Sequence, residues 1–273
     1  MIKITGTTRL YGIIGDPIAQ VRSPEVHTER FAAAGVDAVL VPVHVPAERF
    51  DMIVPALLAL GNLDGLLVTV PFKARIVPFA TRLGATAQTV GAVNALRREA
   101  DGAWFADMFD GFGFVAGAAR KGERIPGRKV ALFGAGGAGS AIACALAEAG
   151  VTSIDIVDVD VHKAKTLVAK LERAFPRCGF AVASEVRHGI DMVVNASPVG
   201  MRPDDRLPGP IGPLDPGTLV GDVVIGAAPT ALIRLAMQSG CRWIDGEDMF
   251  AGQVEALSAF FASACGAASR DRC

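Results

Sequence analysis

The glycines between residues 134 and 139 are spaced as in loops that bind the pyrophosphate of a dinucleotide. They follow a short apolar strand and open an alanine-rich helix. In this pattern Gly134 allows a tight turn, Gly136 lets the backbone approach the pyrophosphate, and Gly139 lets helix and strand pack closely. The first N–H groups of the helix, at Gly137 and Ala138, would then bind phosphate. The spacing predicts dinucleotide binding, and the alternative is a tight packing turn without a ligand.

Asp158 ends the next predicted strand, 19 residues after Gly139. At this distance an acidic side chain accepts a hydrogen bond from the 2′-hydroxyl of the adenosine ribose. Its charge, together with that of Asp160, would repel the 2′-phosphate of NADP. The nearest basic residues, His162 and Lys163, come later, in the following helix. The sequence therefore predicts NAD as the cofactor and disfavours NADP.

Lys73 lies just beyond an apolar segment, residues 66–70, that is predicted to be a parallel strand. Ligands of α/β sheets bind at this end of the strands. The oxidation of a secondary alcohol needs a base for the hydroxyl proton while hydride leaves the same carbon. An ordinary lysine is protonated at neutral pH, so this role requires a closed cleft that disfavours the ammonium form. The alternative is a surface lysine that caps a loop.

The elements around these residues alternate between strand and helix. In the first part of the chain, strands are predicted at 10–14, 38–45 and 66–70, with helices from about 23 to 34 and from 47 to 60. Such alternation is typical of a mostly parallel sheet. A second alternation begins at the glycine loop and continues to about residue 244. The chain is therefore predicted to be an α/β protein.

The composition is that of a globular chain. Apolar residues make up 51% of the 273 residues and charged residues 20%, which argues against intrinsic disorder. The net charge of −1 argues against nucleic acid or a membrane surface as a partner. No apolar run reaches membrane-spanning length, and the first residues lack the apolar stretch of a signal peptide, so a cytoplasmic location is expected.

The cysteines and histidines do not form a metal-binding pattern. The five cysteines, at positions 144, 178, 241, 265 and 273, are odd in number and lack CxxC spacing. They are expected to be reduced thiols rather than a disulfide framework or a zinc site. The four histidines are scattered along the chain. No metal is therefore expected.

Seven stretches of the sequence, in this order, resemble the shikimate and quinate dehydrogenase family. They are YGIIGDPIAQVRSP at 11–24, VTVPFK at 68–73, GAVNALRR at 91–98, DMFDGFGF at 107–114, GAGGAG at 134–139, VVNASPVGM at 193–201 and GEDMFAGQ at 246–253. VTVPFK and GAVN in particular are unusual outside this family. The resemblance implies hydride transfer between a nicotinamide cofactor and a ring hydroxyl of a cyclic hydroxy acid, such as shikimate (to 3-dehydroshikimate) or quinate.

The resemblance also implies the domain organisation. An N-terminal substrate-binding and catalytic domain would comprise residues 1–110 and be completed by residues 246–273. A Rossmann dinucleotide-binding domain would comprise residues 111–245, reached through the polar, glycine- and proline-containing segment 121–128. The C-terminal helix, predicted from about 247 to 264, would return to the first domain. A monomer or a homodimer is expected.

Lys73 and Asp110 correspond to the catalytic lysine of the family and its paired aspartate. A carboxylate near Lys73 would accept a hydrogen bond from the substrate hydroxyl and orient the ammonium group. It would also favour the charged form of the lysine, so we treat the two residues as one coupled acid–base dyad. The alternative for Asp110 is the N-cap of the helix that follows it.

Three further residues correspond to substrate ligands of the family. Ser23 would bind the substrate carboxylate, Asn94 a ring hydroxyl, and Gln253, near the start of the last helix, would also contact the substrate. Ser23 followed by Pro24 also has the pattern of a helix N-cap, which is the alternative for this serine. Asn94 has an alternative role as well, because a buried asparagine often holds backbone in place.

Five residues correspond to positions along the cofactor in the family. Asn195 and Ser197 belong to the VVNASPVGM segment, and Val223, Gly246 and Met249 would lie near the nicotinamide end. Together with the glycine loop and Asp158, they make up the cofactor site that the resemblance implies.

Four positions depart from the pattern of the family. Val21 replaces a serine, Met108 and Phe109 replace an Asn-Thr pair, and Ala95 replaces a threonine. A lost hydrogen bond to a charged group costs about 1.5–3 kcal/mol, so the affinity for shikimate would fall about tenfold or more. The substrate is therefore expected to be shikimate, quinate or a less polar relative.

Two alternatives to this dehydrogenase stay open. The altered ligands are also consistent with a dinucleotide-binding regulatory or sensor protein without turnover, and with a dehydrogenase of an aminated or otherwise modified ring. Retention of both Lys73 and Asp110 argues against the sensor. Asp158, Val159 and Asp160 stand where NADP-using members carry Asn-Arg-Thr, which agrees with the prediction of NAD.

Overall fold

The computed structural model describes residues 3–202, 204–226 and 228–268. The chain divides into two compact units: unit 1 is Met1–Phe109 with Val254–Cys273, and unit 2 is Asp110–Gln253. The family resemblance implies a second boundary at residue 246, at the start of the last helix. In the structure the first turns of that helix lie in unit 2, where a Cβ at Gly252 would lie only 2.6 Å from the Gly117 nitrogen of another helix.

Unit 1 is built on a six-stranded sheet in the order β2-β1-β3-β5-β6-β4. Its elements are β1 (Arg9–Gly15), α1 (Ser23–Ala33), β2 (Ala38–His44), α2 (Phe50–Leu58), β3 (Leu63–Val68), β4 (Arg82–Leu83), α3 (Ala85–Val90), β5 (Ala95–Arg98) and β6 (Trp104–Asp107), with short 3₁₀ helices at Ala47–Arg49 and Val77–Phe79. Strand β1 pairs in parallel with β2 and β3, whereas β5 is antiparallel to both of its neighbours. The strand–helix alternation therefore produces the parallel half of the sheet, and the β5–β6 hairpin produces the other half.

Strand β1 lies in the parallel half and is buried on both faces. Ile14 points into a cluster with Phe72 on one side. Tyr11 and Ile13 point into a second cluster that contains Phe261 of the last helix. Because side chains alternate along a strand, one short segment contributes to two cores.

Strand β4 and helix α3 are not predicted by the sequence pattern, which leaves residues 74–91 unassigned. The helix is short, and its N-cap, Gly84, makes no side-chain cap bond. A carboxylate from β6 caps the helix instead: Oδ1 of Asp107 accepts the Ala87 N–H at 2.9 Å. A cap supplied from 20 residues away leaves no local capping signal in the sequence.

Unit 2 is built on a six-stranded sheet in the order β12-β11-β10-β7-β8-β9, and every neighbouring pair is parallel. Its elements are α4 (Asp110–Arg120), β7 (Lys129–Phe133), α5 (Gly137–Glu148), β8 (Ser153–Val157), α6 (Val161–Ala174), β9 (Gly179–Val182), β10 (Met192–Asn195), β11 (Leu219–Asp222), α7 (Ala231–Gln238), β12 (Arg242–Ile244) and the start of α8 (Gly246–Ala268). This is the strand order of dinucleotide-binding Rossmann folds. The predicted α/β fold class is confirmed, with a Rossmann unit and a last helix that continues into unit 1.

The order of this sheet reverses between β7 and β10, which are direct neighbours. In open α/β sheets, ligands bind outside the carboxyl ends of the strands at such a point. The glycine turn follows β7 and Asn195 ends β10, so both lie at this edge. No helix in the described part of the chain is long and apolar enough to cross a membrane.

Candidate active site

The glycine turn between β7 and α5 combines two packing glycines with one that faces open space. Gly134 has a φ of +100°, which disfavours any other residue. A Cβ at Gly139 would collide with the carbonyl oxygen of Gly134, so a larger residue would push the helix away from the turn. Gly136 is the N-cap of α5, and a Cβ there would meet nothing within 4 Å. Gly137 and Ala138 follow in the first turn, whose N–H groups have no acceptor within a helix. The turn therefore fits a pyrophosphate at Gly136.

The Asp158 carboxylate supports the glycine turn. Its Oδ2 accepts the Ala135 N–H at 2.6 Å, and its Oδ1 accepts the Asp160 N–H at 2.8 Å. Each carboxylate oxygen can accept a further bond, so this arrangement leaves capacity for a ribose hydroxyl. Asp160 is the N-cap of α6, and its Oδ1 accepts the N–H of His162 at 3.0 Å. Val159 between them is fully exposed. The described surface at the end of β8 thus carries two carboxylates flanking an apolar side chain.

Asn195 shapes the loop that follows β10. The residue is 1% exposed. Its Oδ1 accepts both the N–H of Ser197 at 3.1 Å and the Ser197 hydroxyl at 2.7 Å. Its Nδ2 donates to the Val199 carbonyl at 2.8 Å and to the Asp222 carboxylate at 3.0 Å. These four bonds use both donors and both lone pairs of the amide, so the side chain of Asn195 is fully engaged in holding this loop.

The residues predicted near the nicotinamide end also lie together in unit 2. The Val223 N–H donates to the Asn195 carbonyl at 3.0 Å. A Cβ at Gly246 would lie 2.8 Å from the Val223 carbonyl oxygen, so α8 begins directly against the exit of β11. Met249 is buried, and its carbonyl oxygen would lie 2.8 Å from a Cβ at Gly113 of α4.

Helix α4 places Asp110 by close packing through glycines. Asp110 is the first residue of the helix and is 2% exposed. A Cβ at Gly111 would collide with the Ala141 carbonyl of α5, and a Cβ at Gly113 would lie 2.8 Å from Cβ of Gln253. Glycine is thus required at both contacts. Asp110 and Gln253 therefore stand on adjacent helices of unit 2.

Lys73 and Asn94 belong to two segments that meet beyond the carboxyl end of β3 in unit 1. Phe72, which precedes the lysine, is fully buried and anchors the segment. The Val93 N–H donates to the Lys73 carbonyl at 2.8 Å, and the Val68 N–H donates to the Asn94 carbonyl at 2.8 Å. The Lys73 side chain is half-buried, whereas Asn94 is 6% exposed. Backbone pairing thus joins Lys73 to Val93, the residue before Asn94 and 20 positions further along the sequence.

The interpretation of Ser23 as a helix N-cap is wrong. Helix α1 begins at Ser23 itself, and the capping position is Arg22, which makes no side-chain cap bond. Pro24 in the first turn starts the helix without help from a serine, because its φ is already helical. Ser23 is 7% exposed, so a buried hydroxyl in the first helical turn needs another explanation than capping.

The four residues that replace polar residues of the family occupy apolar surroundings in unit 1. Ala95 is fully buried and Met108 is 3% exposed. Val21 and Phe109 are half-buried against the cluster that contains Tyr11 and Phe261. The amide oxygen of Asn94 also accepts the Phe109 N–H at 2.9 Å, so this loop is held beside a predicted substrate ligand.

Asp222 and Thr230 are absent from the sequence-based site. Asp222 ends β11, and burial raises the pKa of its carboxyl group, although hydrogen bonds from Thr230, Val224 and Asn195 act in the opposite direction. An acidic residue that ends an apolar strand at the carboxyl edge of a sheet is the same signal that identified Asp158, and it could have identified Asp222.

Among the residues that the structure describes, no group of three or more His, Cys, Asp or Glu could hold a metal ion.

The fold and the two sets of residues define a class of protein: a two-domain α/β protein of the nicotinamide-dependent dehydrogenase type. Residues 13–96 match the family model described as the shikimate dehydrogenase substrate binding domain. The shikimate dehydrogenase (NADP(+)) of Rubrobacter xylanophilus is 38% identical over 266 residues, which cover 94% of this chain and 92% of that protein. The chain belongs to the shikimate dehydrogenase family, as its motifs predict.

Solved structures of the family share the fold. The shikimate 5-dehydrogenase of Listeria monocytogenes, in complex with shikimate and NAD, has a TM-score of 0.83 and 29% identity, covering 96% of this chain and 94% of its own. The quinate dehydrogenase of Corynebacterium glutamicum, in complex with NAD, has a TM-score of 0.81 and 27% identity, covering 94% of each chain.

Proposed function

We propose that this protein catalyses the reversible oxidation of a ring hydroxyl of shikimate, or of a close cyclic hydroxy acid such as quinate, with a nicotinamide dinucleotide. The observation that carries the proposal is the backbone hydrogen bond between Val93 and Lys73 in unit 1, since it joins the segment of the proposed base to the segment that carries Asn94, a proposed hydroxyl ligand. The family relatives that are named shikimate and quinate dehydrogenases support the same reaction.

Lys73 and Asp110 have complementary roles in this proposal. The dinucleotide, when bound, accepts or returns the hydride. Lys73 takes the proton from the substrate hydroxyl during oxidation and returns it during reduction. Asp110, buried at the head of α4, accepts a hydrogen bond from the same hydroxyl and orients the ammonium group. The two residues belong to different units, so their pairing is itself part of the proposal.

The substrate ligands would be Ser23, Asn94 and Gln253. Ser23 is proposed to bind the ring carboxylate, since its buried hydroxyl does not cap α1. Asn94 and Gln253 are proposed to bind ring hydroxyls. The apolar side chains of Val21 and Phe109 favour a substrate with fewer polar contacts than shikimate, such as a ring that carries a modified substituent.

NAD is the proposed preferred cofactor, although the curated relatives are named as NADP(+) enzymes. Asp158 and Asp160 present two carboxylates at the end of β8, and Val159 between them adds no positive charge. A 2′-phosphate would meet like charges there. Introducing Val159→Arg should raise the use of NADP⁺ without removing either hydrogen bond of Asp158.

A matrix of initial rates tests the proposal. Shikimate and quinate are each combined with NAD⁺ and NADP⁺, and the protein is compared with Lys73→Ala and with the matched control Lys170→Ala, which changes an exposed lysine on α6. We expect turnover with NAD⁺, a loss of about 10²–10⁴-fold in Lys73→Ala, and an unchanged rate in the control.

Each contrary outcome has its own meaning. No turnover of either acid with either cofactor would contradict shikimate and quinate as substrates; if NAD⁺ still bound, it would favour the sensor or a dehydrogenase of a modified ring. A preference for NADP⁺ would contradict the role of Asp158 and leave the reaction intact. An equal loss in Lys73→Ala and Lys170→Ala would contradict the role of Lys73.

A further inference from the structure

Asp222 ends β11 with a buried carboxylate that the proposed reaction does not use. The residue is 1% exposed, and it lies opposite Asn195 in the last paired position of β10 and β11. Both strand ends belong to the carboxyl edge of the unit 2 sheet, where α/β sheets bind ligands. A buried charge needs hydrogen-bond partners, so the partners of Asp222 show what it holds in place.

Donors from three segments reach this carboxylate. Its Oδ1 accepts Nδ2 of Asn195 at 3.0 Å and the Val224 N–H at 3.1 Å. Its Oδ2 accepts the Thr230 hydroxyl at 2.6 Å. The Thr230 oxygen in turn accepts the Ile233 N–H at 3.2 Å as the N-cap of α7. Asp222 therefore joins the end of β10, the exit of β11 and the start of α7.

The bond to Asn195 fixes the orientation of its amide. With Nδ2 toward Asp222, the amide oxygen faces Ser197 and accepts two bonds from it. A flipped amide would turn its oxygen toward the carboxylate and its N–H groups toward the Ser197 N–H, which loses favourable bonds at both ends. The bond to Asp222 thus fixes the orientation of the amide that holds the loop at residues 196–199.

This loop packs directly against the glycine turn. A Cβ at Gly134 would lie 2.9 Å from backbone atoms of Ala196 and Ser197. On the other side, a Cβ at Gly200 would lie 3.0 Å from Cγ2 of Thr230. The loop is held between the glycine turn and the start of α7, so a change in its shape is transmitted to the turn.

We propose that Asp222 is a positioning residue for the dinucleotide: through Asn195 and Thr230 it holds the loop against which the glycine turn packs. The carboxylate accepts bonds and donates none, whereas an amide in its place would keep one acceptor oxygen and would turn N–H groups either toward the donors of Asn195 and Val224 or toward Thr230, whose hydroxyl would then lose the bond that it donates. The inference rests on the proposed dinucleotide site. It predicts weaker dinucleotide binding, with unchanged binding of the ring acid.

Calorimetric titration of the whole protein with NAD⁺ tests this role. We expect Kd to rise about tenfold or more in Asp222→Asn, because bonds to a charged group are lost. Thr230→Val should raise Kd several-fold, and Thr230→Ser, which keeps the hydroxyl, should restore it. The matched control is Asp155→Asn, which changes another buried aspartate in the middle of β8 and should leave Kd unchanged.

Amide hydrogen exchange without any ligand provides a second readout. Exchange at residues 196–200 should increase in Asp222→Asn and in Thr230→Val. An unchanged Kd in Asp222→Asn, or equal values for Thr230→Val and Thr230→Ser, would overturn the inference. If Asp222→Asn does not fold, the two Thr230 variants decide the question. If the unchanged protein bound neither NAD⁺ nor NADP⁺, the proposed function would fail, and unchanged exchange in the variants would separately refute the role of Asp222.

Discussion

His27 on α1 is predicted to destabilise the folded protein as the pH falls below 6.5. Its side chain is 1% exposed, and its Nε2 has no hydrogen-bond partner among the described residues. The ring packs at a right angle to that of Phe261, with 6.2 Å between the ring centroids. Burial, and to a lesser extent the charge of Arg30, lowers the pKa of His27 from 6.5 to about 4. The folded protein therefore keeps this imidazole neutral at pH 5.

The direction of the effect depends on which state binds the proton. Between pH 6.5 and about 4, the unfolded chain protonates His27 and the folded protein does not, so the free energy of unfolding falls with the pH. One pH unit corresponds to about 1.36 kcal/mol. Over this window His27 lowers the free energy of unfolding by about 2 kcal/mol at pH 5 and by about 3 kcal/mol at pH 4. Above pH 6.5 it has no such effect.

His27→Leu removes the titrating group and its unpaired nitrogen but keeps an apolar side chain in the helix. Urea unfolding is measured at pH 7, 6 and 5 for the unchanged protein, for His27→Leu and for His188→Gln, which changes an exposed histidine. We expect His27→Leu to gain about 2 kcal/mol relative to the unchanged protein between pH 7 and pH 5. The His188→Gln curve should stay parallel to that of the unchanged protein. Parallel curves for His27→Leu as well would refute the reasoning.

Two further predictions concern the glycine turn and the thiols. Gly136→Ala should leave the melting temperature unchanged, because φ is −77° and the methyl group meets nothing within 4 Å, but it should weaken NAD⁺ binding in calorimetry. Gly139→Ala should instead cost about 1–3 kcal/mol of stability in thermal unfolding, since its methyl group collides with the turn; equal effects of the two variants on stability would contradict these roles. Burial raises the pKa of the Cys144 thiol to about 12, so iodoacetamide at pH 8 should leave Cys144 unmodified in the native protein and modify the half-buried Cys178 before it, as peptide mass spectrometry would show. Rapid labelling of Cys144 would contradict its burial.

The parts of the fold that follow from the sequence are those whose signals are local. The strand before the glycine turn forms as predicted, because its apolar run marks it directly. Helix α3 was missed because its capping carboxylate, Asp107, comes from a distant strand. The Ser-Pro pattern predicts Ser23 as the N-cap, but the serine lies one position further on, inside the helix. The pattern is the same in both cases, so it does not distinguish them.

The residues of the candidate site also differ in whether a local stretch of sequence predicts them. The glycine spacing is a property of one short segment, and each glycine has a definable steric role in the structure. The contribution of Asp222 depends on pairing with Asn195 across two strands, which are 27 positions apart, and on a loop that folds back from Thr230. Such contacts are visible only once the register of β10 and β11 is known.

Asp158 and Asp222 hold the two loops at the carboxyl edge of the unit 2 sheet by the same physical means. Each is a carboxylate that ends a strand and accepts a backbone N–H from the chain at this edge. Substituting either aspartate therefore alters the shape of this edge, and Asp158 is also proposed to contact the ribose. Gly136 and Val159 differ, because nothing packs against a Cβ at the first and the second is fully exposed. Changes at these two positions act on the ligand without disturbing its support, so they are the sites at which pyrophosphate binding and the choice between NAD and NADP can be tested separately from the fold.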